Sequence, residues 1–372
     1  MYQGKLTAVP VSTPTSQEMI ARLVGFDTTS RNSNMPLIDF IRDYLSAHGI
    51  ESVLTMNDGQ TKANLFATLG PAGTGGIALS GHTDVVPVDG QDWSSDPFVP
   101  VERDSKLYGR GTCDMKSFIA IALAMVPHFL SRPLKMPVHL AFSYDEEVGC
   151  AGVPAMVARF GHDLPRPRIV VVGEPTMMKI VNAHKSMNAY HTEITGLEAH
   201  SSNTHKGVSA IMAACELISE LQRIAADMRK RGDASGRFDP PYTTLNVGTI
   251  SGGTALNIVP RECRFDWEFR GLPGQDPGEI AGRLDEFART HVLPGMRKVF
   301  PNANIITTMR GRLASFHSDE GAEAVTLIKK LARQNSTQAV SYMTEAGLFQ
   351  EAGAPTVICG PGDIAQAHQP DE

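Results

Sequence analysis

Carboxylate and imidazole side chains stand directly after four short apolar runs of the sequence. The runs and the polar segments behind them are "GIALS" (76–80) with "GHTDVVP", "VHLAF" (138–142) with "SYDEEVG", "RIVVV" (168–172) with "GEPT", and "PTVIC" (355–359) with "GPGDIAQAH". The polar segments contain His82, Asp84, Glu146, Glu147, Glu174 and His368. Carboxylates brought together repel one another unless a cation lies between them. The pattern therefore predicts a site for divalent metal ions where the run ends meet.

A fifth segment, "LYGRGTCDMK", adds Asp114 just before a helical pattern that begins near Met115. Taken alone, Asp114 could be a helix N-cap. Imidazole and carboxylate ligands without thiolate suit zinc, cobalt or manganese better than iron–sulfur or copper(I) chemistry. Two histidines and three carboxylates are too many for one open tetrahedral zinc, and they suit two ions that share a bridging carboxylate. The sequence thus predicts a dinuclear metal centre.

Three consecutive acidic residues, Asp145, Glu146 and Glu147, follow the second apolar run without a cation beside them in sequence. Because successive side chains diverge, one glutamate can bind a metal while its neighbour takes a proton from metal-bound water. A metal-bound imidazole usually gives its other N–H to a carboxylate, and the spacing of His82 and Asp84 fits such a pair. These features predict a metal-dependent hydrolase with a carboxylate as general base.

Strand-like and helix-like segments must position these groups. The apolar runs are typical of buried strands, and helical patterns such as "SQEMIARLVGF" and "MKSFIAIALAMV" separate them. This alternation predicts an α/β sheet, where ligands bind beyond the carboxyl ends of the strands. Residues 184–311 instead show the β-α-β-β-α-β order of a ferredoxin-like α+β domain. We therefore predict a catalytic domain of residues 1–183 and 312–372 that contains residues 184–311 as an inserted domain.

Length, charge and cysteine use exclude several classes of protein. A chain of 372 residues is long enough for two domains. Its net charge of −6, without basic patches, argues against nucleic-acid binding. The longest apolar stretch, at 118–130, is too short to span a bilayer, and the N-terminus shows no secretory signal. The five scattered cysteines indicate reduced thiols, so we predict a cytoplasmic protein.

The motifs together resemble a known family. "SGHTDVVPV", "GRGTCDMK", "SYDEEVGC", "VVGEPT" and "AHQPDE" are similar to the dinuclear-zinc aminoacylase/carboxypeptidase metallohydrolases, and the resemblance covers nearly the whole chain. It implies a zinc-exopeptidase-like α/β catalytic domain with a ferredoxin-like inserted domain that serves as dimerisation domain and lid. It also implies a homodimer and two divalent metal ions per subunit, Zn²⁺ or alternatively Co²⁺.

The resemblance assigns metal ligands residue by residue. It implies that His82 and Glu174 hold one ion, that Glu147 and His368 hold the other, and that Asp114 bridges the two. The chain ends four residues after His368, where members of the family usually continue into a last helix. On that ground we expect a truncated form.

Further roles follow from the resemblance alone. Glu146 would be the general base, and Asp84 would hold His82 in place. In "GLEAHSS" (196–202), His200 would stabilise the oxyanion in the active site of the partner subunit, or it could only cap its own segment. Substrate contacts would fall to Asn257 and to Arg312, with Arg310 as an alternative for the substrate carboxylate.

The branch of the family that is most similar removes the acetyl group from N2-acetyl-L-ornithine, giving acetate and L-ornithine in arginine biosynthesis. The segments "TEAGLFQEAGAPTVICGPG" and "NIVPRECRFDWEFRGLPG" carry this finer resemblance. The same set of residues would serve a succinyl-diaminopimelate desuccinylase, an aminoacylase or a dipeptidase, which remain alternatives. A binding protein without activity on this fold would require a missing ligand or base, and all are present.

Overall fold

The computed structural model describes residues 13–71, 73 and 75–372. Residues 1–12 of the N-terminal stretch, for which the sequence predicts no secretory signal, lie outside the described residues. The chain forms two compact units. Of the described residues, those up to 182 together with 318–337 and 344–372 form unit 1, and residues 183–317 and 338–343 form unit 2. Within the described part of the chain, no helix is both long and apolar enough to cross a membrane.

The elements follow one another along the chain as helices and strands of mostly moderate length. The helices are α1 (Ser16–Val24), α2 (Met35–Ala47), α3 (Lys116–Ala124), α4 (Val126–Leu130), α5 (Val153–Val157), α6 (Ala210–Arg231), α7 (Glu279–Phe287), α8 (Leu293–Val299), α9 (Glu323–Ala332) and α10 (Ala346–Glu351), with a 3₁₀ segment at Ser201–Lys206 and a π segment at Ala288–Val292. The strands are β1 (Ser52–Met56), β2 (Ala63–Leu69), β3 (Ile77–His82), β4 (Val101–Arg103), β5 (Lys106–Tyr108), β6 (Val138–Ser143), β7 (Ile169–Val172), β8 (Ile180–His184), β9 (Met187–Thr195), β10 (Thr244–Gly252), β11 (Glu262–Arg270), β12 (Asn304–Leu313), β13 (Phe316–His317), β14 (Thr337–Val340) and β15 (Thr356–Ile358).

The central sheet of unit 1 has the strand order β1-β2-β6-β3-β7-β15-β8. The strands β6, β3, β7 and β15 run parallel to their neighbours within this set, whereas β1, β2 and β8 pair antiparallel. In the β3–β6 pair, Ile77 lies opposite Val138 and His82 lies opposite Ser143. The four apolar runs of the sequence are these parallel strands, so their carboxyl ends share one edge.

Hydrophobic packing fixes the helices on this sheet. One cluster joins α1, α2 and α3 to β2 and β6, and it contains fully buried Leu37, Ile41, Leu65 and Leu140. A second cluster joins α9 to β7 and β15. Full burial of each such side chain contributes about 1.5–3 kcal/mol. Because β3, β6 and β7 are covered by helices, their sequences are continuously apolar rather than alternating.

Unit 2 follows the ferredoxin-like order β9-α6-β10-β11-α7-β12, and its antiparallel sheet has the strand order β10-β11-β9-β12. The helices α6 and α7 bury Leu217, Leu221 and Leu284 against Phe265 and Trp267 of the sheet. Residues on the opposite face of β10 and β12 are exposed. The predicted fold class, an α/β domain with an inserted ferredoxin-like domain, is confirmed.

Candidate metal centre and active site

The polar residues behind the parallel strands converge at their common edge. His82 is the last residue of β3, while Glu146 and Glu147 follow β6 and Glu174 follows β7. His368 reaches the same place from the segment after β15. His82, Glu146 and Glu174 are buried, whereas the His368 side chain is 51% exposed. Adjacent parallel strands end side by side, which is why residues distant in sequence meet here.

Local backbone features let these segments turn into the site. Gly173 separates β7 from Glu174, and a Cβ there would lie 2.0 Å from the ring of Phe118 in α3. Only glycine lets the strand end approach the helix that closely. Asp145 and His368 adopt left-handed backbone conformations, with φ of 56° and 66°. Such a conformation is uncommon for residues with a side chain and is held by the surrounding contacts.

Asp114 lies between the two histidines. Its Oδ1 is 2.9 Å from His82 Nε2, and its Oδ2 is 3.4 Å from His368 Nε2. Glu147 Oε2 lies 3.1 Å from His368 Nε2, and Glu174 Oε1 lies 4.0 Å from His82 Nε2. The site therefore consists of two overlapping groups of imidazole and carboxylate atoms that share the Asp114 carboxylate and could bind cations.

The donor set fits divalent cations. Glu147 Oε1 and Glu174 Oε1 are buried, and neither has a hydrogen-bond partner among the described residues. A buried polar atom without a partner costs about 1–3 kcal/mol, and more when it is charged. His82, Asp114 and Glu147 each offer a ligand atom within 4.8 Å of the others. A cation bound there would receive the unpartnered oxygens and neutralise the repulsion between the carboxylates.

Burial raises the pKa of Glu146 and of Glu174 well above the usual value, and the nearby carboxylates act in the same direction. Burial alone would lower the pKa of His82, but its hydrogen bond to Asp114 and the surrounding negative charge raise that pKa well above the usual value. Without metal, the site therefore retains protons that compensate its negative charge.

The exposed end of the site, at His368, also retains a proton when no metal is bound. Hydrogen bonds to Asp114 and Glu147 raise the pKa of His368 to about 10. Burial would raise the pKa of Asp114, but the hydrogen bonds from His368 and His82 outweigh it and lower that pKa. In the metal-free protein an imidazolium thus occupies the place between two carboxylates.

Asp84 holds the site by contacts that differ from the expectation. His82 Nδ1 lies 2.9 Å from the backbone carbonyl oxygen of Asp84, whereas the Asp84 carboxylate is 3.6 Å from that nitrogen. The carboxylate accepts instead the backbone N–H groups of Glu146 (3.0 Å) and Glu147 (3.3 Å) and the hydroxyl of Ser30 (2.7 Å). The His82 imidazole thus contacts a backbone carbonyl and not the expected carboxylate. The Asp84 carboxylate instead accepts three hydrogen bonds from the Glu146 turn and Ser30.

Asp145, the first acidic residue of the "DEE" stretch, does not belong to the cluster. Asp145 Oδ1 accepts a hydrogen bond from Lys62 Nζ at 2.5 Å, and this lysine also donates to the carbonyl oxygen of Ser30 at 2.5 Å. The positive charge that pairs with Asp145 thus comes from Lys62, the residue just before β2, which is distant in sequence. Of the three consecutive carboxylates, only Glu146 and Glu147 remain for the site.

Three charged residues to which the sequence patterns assign no role lie beside the cluster, namely Glu345, Arg110 and Glu372. Glu345 is fully buried, and its carboxylate accepts hydrogen bonds from Ser80 (3.3 Å) and Ser143. Arg110 and Glu372 form a buried ion pair next to the Asp114 segment. All three lie inside stretches that resemble the family. A charged side chain within such a stretch is the sequence feature that could have identified them.

The remaining predicted residues, His200, Asn257 and Arg312, belong to unit 2. His200 Nδ1 accepts the backbone N–H of Ser202 at 3.2 Å, so the proton of the neutral imidazole is carried by Nε2. Asn257 is exposed, and its backbone carbonyl oxygen accepts the backbone N–H of Ser201 at 3.0 Å. Arg312 lies in β12. The local contact of His200 matches the capping alternative and at the same time leaves Nε2 as a donor.

A parallel-stranded α/β unit with a buried carboxylate–imidazole cluster at its sheet edge, interrupted by a ferredoxin-like unit, defines a metal-dependent hydrolase. Residues 78–372 match the peptidase family M20/M25/M40. The chain therefore belongs to this family of enzymes that hydrolyse amide bonds, and the resemblance noted in the sequence is confirmed.

Individual relatives agree with this membership. The chain is 37% identical over 364 residues to the acetylornithine deacetylase of Myxococcus xanthus, which covers 96% of this chain and 92% of the relative. Its fold is similar to that of aminopeptidase PepT from Bacillus cereus ATCC 10987, with a TM-score of 0.72, 19% identity and coverage of 94% and 91% of the two chains. The Bacillus subtilis YXEP protein, named as a dinuclear metal binding peptidase, matches with a TM-score of 0.64, 15% identity and coverage of 93% and 88%.

Proposed function

We propose that this enzyme hydrolyses the amide bond of N2-acetyl-L-ornithine and releases acetate and L-ornithine. The hydrolytic part rests on two buried oxygens beside the Asp114 carboxylate, Glu147 Oε1 and Glu174 Oε1, which have no hydrogen-bond partner among the described residues. The substrate is supported by the deacetylase of Myxococcus xanthus, which is similar over nearly the full length of both chains.

We propose two divalent ions per chain, zinc or alternatively cobalt. His82 and Glu174 would hold one ion, His368 and Glu147 would hold the other, and Asp114 would contribute one oxygen to each. Imidazole and carboxylate ligands without thiolate support this choice. When bound, such ions polarise an acyl carbonyl and make water nucleophilic at neutral pH.

Glu146 is proposed as the general base and acid. Asp84 fixes the turn by accepting its backbone N–H at 3.0 Å. Burial raises the pKa of Glu146 well above the usual value, which favours return of a proton that the carboxylate has accepted. Its carboxylate would take a proton from the attacking water as the new C–O bond forms. It would then give that proton to the departing α-amino nitrogen as the C–N bond breaks.

Residues of unit 2 would complete the site. His200 Nε2, which carries the ring proton, is suited to donate to the developing oxyanion, and we propose that it does so in the partner subunit of a homodimer. Ile306 is exposed on the face of the unit 2 sheet opposite α6 and α7, and this face supports a subunit contact there. Arg312 would bind the substrate α-carboxylate and Asn257 would contact the substrate. The five free cysteines support a cytoplasmic location.

A substrate comparison tests the proposal. Zinc- or cobalt-loaded protein is assayed on N2-acetyl-L-ornithine, N-succinyl-diaminopimelate and N-acetyl-L-methionine, and kcat/KM is expected to be highest for acetylornithine. The Glu146→Gln variant should keep its metal content and lose about 10²- to 10⁴-fold in kcat, because only the proton transfer is removed. If acetylornithine ranks last, the proposed substrate is wrong. If Glu146→Gln turns over normally, the assignment of the base is wrong.

A further inference from the structure

The side chain of Glu372 lies buried against the segment that carries Asp114. Its Oε1 accepts three backbone N–H groups, those of Gly111 (3.0 Å), Cys113 (3.1 Å) and Asp114 (3.0 Å). Its Oε2 accepts a hydrogen bond from Arg110 Nη1, and 1% of the Glu372 side chain is exposed. One carboxylate thus accepts three backbone N–H groups of the turn. Without it, these buried N–H groups would have no hydrogen-bond acceptor.

The backbone of Glu372 also forms hydrogen bonds with the same turn. Its main-chain oxygen accepts the N–H of Gly109 at 2.8 Å and the hydroxyl of Thr112 at 3.1 Å. Asp114 lies in this turn, followed by Met115, the N-cap residue of α3, which begins at Lys116. Turn segments lack the ladder hydrogen bonds that fix a strand, so the position of the Asp114 carboxylate depends on contacts of this kind.

The segment that leads back from Glu372 to His368 is held by the same group of residues. Gln91 Nε2 donates to the carbonyl oxygen of His368 at 2.9 Å. Arg110 Nη2 in turn donates to Gln91 Oε1 at 2.6 Å, and Arg110 Nη1 lies 3.4 Å from the carbonyl oxygen of Gln369. Arg110 is fully buried, so its charge depends on Glu372 as counterion. The turn before α3 and the His368 segment therefore form one hydrogen-bonded body.

We propose that Glu372 is a positioning residue for the metal centre, whose carboxylate sets the separation of Asp114 from His368. Both are ligands of the proposed centre, so the inference rests on the proposed function. Partners that orient metal ligands usually contribute about 10- to 100-fold to metal affinity. The oxygen that receives the three N–H groups is the important one, while the ion pair with Arg110 neutralises the buried charge.

Two double variants separate these contributions. E372Q/R110M removes the ion pair but keeps an amide oxygen able to accept the three N–H groups. E372M/R110M removes that oxygen as well, with side chains of similar length. The metal-free proteins are titrated with Zn²⁺ and with Co²⁺ against a competing chelator, and the visible absorption of the Co²⁺ forms is recorded. R168M/E323Q, which removes an exposed Arg–Glu pair of unit 1, is the matched control.

We expect E372Q/R110M and the control to bind both ions within about threefold of the wild type, and E372M/R110M to bind at least about 10-fold more weakly with an altered Co²⁺ spectrum. Equal affinity and spectrum in E372M/R110M would overturn the inference. Wild-type protein that binds no ion would instead overturn the proposed function.

A shorter acid covers the case in which E372M/R110M does not fold. Glu372→Asp keeps the charge opposite Arg110, but it lacks the methylene needed to reach the three amides and the guanidinium together. Its affinity for Zn²⁺ should fall by about 10-fold, and unchanged affinity would overturn the positioning role.

Discussion

Replacement of Glu345 by glutamine should remove a pH-dependent loss of stability from the metal-free protein. The carboxyl is fully buried, and its polar contacts are the hydroxyls of Ser80 and Ser143. Burial raises its pKa to about 7 from 4.5. The folded state therefore keeps a proton between these two pH values that the unfolded state has already lost.

The magnitude follows from the two pKa values. An acid with a raised pKa in the folded state lowers the free energy of unfolding as pH rises, and the loss is complete above the folded pKa. For pKa values of 4.5 and about 7, the free energy of unfolding falls by about 2.5 kcal/mol from pH 5 to pH 8 on account of Glu345 alone. A glutamine of the same shape has no proton to lose and should abolish this component.

Urea unfolding of the metal-free protein measures the effect. The chain has two tryptophans, so a Trp267→Phe background leaves Trp93 of unit 1 as the fluorescence reporter. The change in unfolding free energy between pH 5 and pH 8 is compared for wild type, Glu345→Gln and Glu51→Gln, where Glu51 is an exposed carboxylate of unit 1.

The expected pattern is a pH-dependent loss about 2.5 kcal/mol smaller in Glu345→Gln than in the wild type, with Glu51→Gln indistinguishable from the wild type. A Glu345→Gln protein with the full wild-type pH dependence would refute the reasoning. In that case the buried carboxyl is not the group that takes up the proton.

The other predictions concern the metal site and the subunit arrangement. The pKa of His368 is raised to about 10, so at pH 7.5 the imidazole carries a proton that it must lose to bind metal. The His368→Gln variant should therefore release about one proton fewer per chain on Zn²⁺ binding. Calorimetry in buffers of different ionisation enthalpy measures this number. Equal proton release would contradict this. A 1:1 mixture of inactive Glu146→Gln and His200→Ala chains, dissociated and reassociated, should regain roughly a quarter of wild-type activity if His200 acts in the partner subunit, because half of the dimers are mixed and each has one intact site. Reassociated mixtures that stay inactive would show that His200 does not act across subunits.

Much of the fold and site could be predicted because both depend on local patterns. Continuous apolar runs such as those that became β3 and β6 need burial on both faces, and this requirement alone indicates a helix-covered parallel sheet. Polar residues placed directly after such strands must then meet at one edge. The antiparallel strands β1 and β2 were not predicted, because their pairing depends on neighbours from other parts of the chain and their own sequences are less distinctive.

The sequence by itself indicated which polar residues follow the strands and meet at one edge of the sheet, and in the structure His82, Asp114 and Glu147 each offer a ligand atom within 4.8 Å of the others. Only the tertiary structure decided how each carboxylate is used. Asp145 is bound by Lys62, and Glu372 takes the N–H of Asp114 across a separation of 258 residues. The role of a carboxylate depends on the donors that surround it, and here those donors come from distant segments that only folding brings together.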